Sequence, residues 1–136
     1  VMRRGADGTG NAMMSVHAEL EAAKAALKRA TAGESLYQQA VSLQDRLADQ
    51  QERLFGNETR EIYHDWDMMS VQNRLWHARF GPNTNVYGPT PAQRESLRIG
   101  RTLYDNIVVQ LDAISRDHDA LNAAMDAAGV PWTPGR

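Results

Sequence analysis

The chain has 136 residues, 42% of them apolar, with 15 Lys plus Arg against 17 Asp plus Glu and no Cys. That length supports one core burying about two-thirds of the unfolded surface, and the lack of Cys excludes disulfides, thiolate catalysis and zinc ribbons. A net charge of −2 gives no surplus positive field for a phosphate backbone, so nucleic acid is not an expected partner.

Residues 1–11 (VMRRGADGTGN) are rich in Gly and lack periodicity, which predicts a linker. Residues 5–10 (GADGTG) share the texture of a phosphate loop but lack the Lys-Ser/Thr that follows one and the strand that precedes it. The start at Val1, followed by Arg3-Arg4-Gly5, reads as a piece of a longer precursor. No apolar run approaches the roughly 18 residues of a membrane span, and residues 1–10 lack the apolar centre of a signal peptide.

Met13, Val16, Leu20, Ala23, Leu27 and Ala30 recur at intervals of three and four, predicting an amphipathic helix over 12–31. Gly33 breaks the pattern. Leu36, Ala40, Leu43, Leu47 and Leu54 then predict a second helix over 34–55, ended by Gly56. So short a connection predicts an antiparallel hairpin. Residues 57–66 are polar and read as a loop; Asn57-Glu58-Thr59 matches a glycosylation sequon, meaningful only in a eukaryotic secretory pathway.

Asp65 or Asp67 is the expected cap of a third helix over 66–80, whose Trp66, Trp76 and Phe80 are expected in the core. Gly81-Pro82 stops it. Thr90-Pro91-Ala92-Gln93 has the composition of a capping box with Pro at the first helical position. It opens a fourth helix over 91–128 with Leu97, Tyr104, Ile107, Leu111, Ile114, His118, Leu121, Met125 and Ala128 on one stripe. Gly129 and Pro131 end it, leaving 129–136 as an extended tail. The fold class is all-α: a bundle of about four helices over residues 12–136, with one long C-terminal helix.

Chemistry is sparse. Glu61, His64, Asp65 and Asp67 are the ligand types of a zinc or manganese site and would serve a metal-assisted hydrolase, but no His-x-x-x-His pair accompanies them. Asp117-His118-Asp119 cannot converge on one ion from successive helical positions, so His118 is expected to face a carboxylate across the bundle. His17 and Glu21 form a surface pair. No Ser lies in a Gly-x-Ser-x-Gly turn. Catalytic residues and cofactors are therefore expected to be none. Trp132, in a Pro-flanked tail, is the first candidate for a contact residue, followed by Tyr87 and Tyr63 in the loops.

Arg53-Leu54-Phe55-Gly56, Tyr87-Gly88-Pro89-Thr90 with Gln93-Arg94, and the ending LNAAMDAAGVPWTPGR over residues 121–136 resemble the C-terminal helical region of large bacterial sortilin-like proteins. Their BNR-type β-propellers often carry the label "glycosyl hydrolase". The likeness covers about residues 35–136 and is most specific at the closing Pro-x-Thr-Pro-Gly-Arg. No propeller repeat is present, so the resemblance implies no catalytic residue. It implies an exported bacterial protein, on the periplasmic or extracellular face, with a helical appendage made for contact. Two roles follow as expectations: a scaffold for a protein partner in a larger exported assembly, or an extrinsic accessory subunit of a respiratory or photosynthetic membrane complex.

Overall fold

Runs of Ala, Leu, Glu, Gln, Arg and Lys lose little side-chain freedom in a helix, and apolar residues at three-four spacing give each helix one face to bury. The computed structural model describes residues 2–30, 33–57, 59, 69–80 and 88–134, and within them every regular element is a helix. In chain order these are α1 (Met2–Arg29), α2 (Glu34–Phe55), α3 (Val71–Phe80) and α4 (Pro91–Ala127). The protein is an all-α helical bundle with one long C-terminal helix. No described helix is long and apolar enough to cross a membrane.

Backbone packing divides the chain into two compact units, Val1–Gly10 with Gln50–Val109 and Asn11–Asp49 with Gln110–Arg136. The second unit has an apolar centre. Met13, Leu20, Ala23 and Leu27 of α1, Ala40, Leu43 and Leu47 of α2, and Ile114, Leu121 and Met125 of α4 are all buried there. Lys24 reaches Gln44, Gln44 in turn donates to Glu21, and Lys28 sits 5.6 Å above the Tyr37 ring. The later α1 residue meets the earlier α2 residue, which is the antiparallel hairpin expected from the short connection. Arg46 Nη1, 2.6 Å from Asp117 Oδ2, ties α2 to α4 in the same unit.

The first unit is built differently. Among the described residues its buried positions are Gly10, Gln50, Leu54, Ser70, Val71, Gln93, Ser96, Gly100 and Ile107, most of them small or polar. The expected linker is helix here, since α1 begins at Met2. Gly costs roughly 0.5–1 kcal/mol relative to Ala in a helix, but at two positions it permits close approach. A Cβ on Gly5 would stand 2.8 Å from Tyr104 Oη, and one on Gly10 would stand 2.5 Å from Phe55 Cζ. Thr9 Oγ1 lies 3.0 Å from Tyr104 Oη and reinforces the contact. Tertiary packing overrides propensity.

Helix α3 also departs from expectation. It begins at Val71, and its cap is Ser70, whose Oγ accepts the Asn73 N–H at 3.1 Å. The caps expected from the sequence, Asp65 and Asp67, lie outside the described residues. Trp76 is not core: it is 66% exposed. Buried Val71 and half-buried Leu75 and Ala78, at intervals of four and three, occupy the inward face and turn Trp76 away from it. Trp66 and the Phe80 side chain lie outside the described residues.

Helix α4 opens and closes as expected. The Thr90 N–H donates to Gln93 Oε1 at 2.8 Å and the Gln93 N–H to Thr90 Oγ1 at 3.2 Å, a reciprocal capping box. Of its expected stripe, Ile107, Ile114, His118, Leu121 and Met125 are buried, whereas Leu111 is half-buried and Leu97 and Ala128 are exposed. At the N-terminal end the inward face is carried by Gln93, Ser96 and Gly100. Ser96 Oγ points at the Arg74 carbonyl, 3.5 Å away on α3. Contact with a polar backbone edge leaves no place for Leu97.

Candidate interaction surface

The end of α4 is fixed by backbone geometry. Gly129 adopts φ 69°, a left-handed value that favours Gly. Its N–H bonds the Asp126 carbonyl and the Val130 N–H bonds the Met125 carbonyl, both at 3.0 Å, satisfying two of the helix's last acceptors in a Schellman arrangement. The tail then lies against the second unit through alternate anchors. Val130 and Thr133 are buried, while Pro131, Trp132 and Pro134 are exposed. A spacing of three is the period of an extended Pro-rich segment, which puts positions 130 and 133 on one side. Trp132 is held outward between these anchors at 72% exposure. Holding an indole in water on a backbone already fixed at both sides removes much of the ordering cost of a contact.

Tyr87 and Tyr63, and the whole metal candidate set of Glu61, His64, Asp65 and Asp67, lie outside the described residues. Among the described residues, no group of three or more His, Asp or Glu side chains is placed to hold a metal. Asp117, His118 and Asp119 diverge as helical geometry requires. Asp117 pairs with Arg46, buried His118 directs Nε2 to Glu19 Oε2 at 3.6 Å, and Asp119 faces solvent. His17 is exposed, and its charge acts weakly on Glu21. Gln44 and Lys24, the stronger influences, hold the Glu21 carboxyl below its ordinary range by hydrogen bonding.

Comparison with family models, with curated proteins and with solved structures finds no match for the chain.

A second exposed set lies on α4 and was not evident from the apolar pattern. In the first unit Arg94, Arg98, Arg101, Asp105 and Val109 are exposed on the side of α4 away from buried Gln93, Ser96, Gly100 and Ile107, and in the second unit Asp112, Arg116 and Asp119 are exposed on the side away from buried Ile114, His118 and Leu121. The readable signal was charge order. Residues 71–101 hold five Arg and one acidic residue, and residues 105–126 hold five Asp and one Arg. Glu95, beside this set, accepts from Arg98 through both carboxylate oxygens, which lowers the glutamate's pKa and raises the arginine's.

Proposed function

We propose that the chain is a non-catalytic protein-interaction module, a helical scaffold whose Trp132 docks on a protein partner in a larger exported bacterial assembly. The observation that carries this reading is the 72% exposed indole set between buried Val130 and Thr133. Such an anchor contributes affinity by apolar burial at little cost in ordering. Export rests on the resemblance of residues 121–136 to the C-terminal region of sortilin-like proteins. An assembly at the periplasmic or extracellular face of a membrane, respiratory or photosynthetic complexes included, is a partner of the proposed kind.

The test is association measured with the partner isolated from the native source. Trp132→Ala should weaken it by more than about 1 kcal/mol, roughly fivefold in Kd, with the helical circular dichroism signal unchanged. Equal retention of variant and parent would remove the tail from the contact. A stoichiometric divalent ion in the purified chain, together with hydrolytic activity, would replace the scaffold reading by the metal-assisted hydrolase of residues 61–67.

A further inference from the structure

We propose that residues 130–134 form a preordered polyproline-type ridge, led by Pro131 and Pro134, that docks in an aromatic-lined, proline-recognising groove of a protein partner. The inference rests on the reading of the tail as a contact surface and names the chemistry of the partner. The segment lies wholly within the second unit. Proline fixes its own φ near −65° and pushes the residue before it into the extended region. Val130-Pro131 and Thr133-Pro134 are two such pairs, so covalent geometry alone confines every residue of the segment except Trp132.

Packing follows a threefold repeat. Val130 and Thr133 are 5% and 8% exposed, whereas Pro131 and Pro134, also three apart, are both exposed. A polyproline helix turns once in about three residues, so one edge is seated on the second unit and the next, Pro131 with Pro134, faces outward. Trp132 lies on the third edge. The start of the ridge is held as well, because the Val130 N–H donates to the Met125 carbonyl at 3.0 Å and Gly129 carries the turn at φ 69°.

The same residues exclude the other recurring ways of binding a peptide segment. Successive N–H groups of a strand point to opposite edges, and Pro131 and Pro134, at odd separation, would leave a missing donor on each edge of an added strand. A helix laid in a groove is barred, since both prolines force their predecessors out of the helical region. Thr133 is the one hydroxyl of the segment and is buried, so recognition directed at a phosphate has no exposed acceptor residue to modify. Pro131, Trp132 and Pro134 carry no charge, which removes a strongly acidic or basic surface as the complement. What remains is a ridge of pyrrolidine rings beside an indole. Aromatic side chains recognise such a ridge without needing a backbone donor, and its ordering is already complete in the folded chain.

The test is calorimetric titration of the full chain into a set of isolated WW domains, whose grooves are aromatic-lined. At least one should bind with a Kd of about 10–100 µM, and a polyproline peptide of about ten residues should displace the chain from it. Pro131→Ala and Pro134→Ala should each weaken binding at least about fivefold. Both side chains face outward, so circular dichroism should not change. The same peptide should also release the chain from the partner isolated from the native source.

Absence of binding to every domain in the set, or binding that survives both proline substitutions, would overturn the proposal. Native association that is lost with Trp132→Ala but indifferent to polyproline and to both proline substitutions would overturn it too, while leaving the tail as the contact surface. Native association that polyproline disrupts but Trp132→Ala does not would keep the proline ridge and sink the indole anchor instead.

Discussion

The two units of this bundle reach burial by different chemistry. In the second, α1, α2 and α4 contribute Leu, Ile and Met at three-four spacing, and among the described residues the buried polar side chains are His118, beside Glu19, and Thr133 of the tail. In the first, glycines at positions 5 and 10 admit Tyr104 and Phe55, and Gln50, Ser70, Gln93 and Ser96 occupy inward positions. A core of large aliphatic side chains is held by the area it removes from water. One of small and polar residues depends on close fit and on satisfied hydrogen bonds. The second should therefore be sensitive to lost volume and the first to added volume.

The largest expected effect tests the aliphatic side of that contrast. Leu121→Ala should destabilise the protein by about 2–5 kcal/mol in urea unfolding, because Leu121 is fully buried and its truncation leaves a cavity. A loss under about 1 kcal/mol would mean that the second unit collapses around the gap as a loosely packed core does. Half-buried Leu111 should cost less than Leu121 when truncated.

Next comes added volume in the first unit. Gly10→Val should cost toward the low end of about 1–3 kcal/mol, because the Phe55 ring, whose Cζ stands 2.5 Å from where a Cβ would lie, must swing aside and is already 42% exposed. Gly8 is the control. It is exposed, lies in the same helix, and a Cβ there meets nothing within 4 Å. Gly8→Ala should therefore raise stability by about 0.5–1 kcal/mol through helix propensity alone. If both substitutions stabilise, the Gly10 approach is not a constraint and the contrast between the units narrows.

The smallest effect concerns Glu21 in the second unit. Its Gln44 and Lys24 partners lower its folded pKa, so its contribution is fully present above the ordinary glutamate value of about 4.3 and fades as pH falls through the lowered one. Melting temperatures of Glu21→Gln and the parent should differ slightly at neutral pH and converge in acid. A gap that widens in acid would reverse the assigned direction.

These contrasts also explain what could be read before the structure. The aliphatic unit was legible because a three-four apolar pattern in α1, α2 and α4 has one physical interpretation, and the Thr90 and Gly129 helix ends follow from backbone chemistry that local sequence encodes. The first unit was not. Gly5, Thr9 and Gly10 look like a linker until Tyr104 and Phe55, distant in sequence, are seen against them. Trp76 was expected inside because it is large and apolar, yet Val71, Leu75 and Ala78 decide which way α3 faces. At the candidate surface the Pro-flanked setting of Trp132 pointed to an extended tail. Its anchoring by Val130 and Thr133 is a property of the packed unit.

The outward placement of Trp132 and Trp76 also governs how the protein behaves under ultraviolet light. An indole that already faces water in the native state has little further red shift to undergo when the chain unfolds, so these two residues respond weakly to denaturation. Covering Trp132 with an apolar partner surface would move its emission to shorter wavelength and shield it from a dissolved quencher. The indole that stays quiet during unfolding thus becomes the chromophore that registers docking.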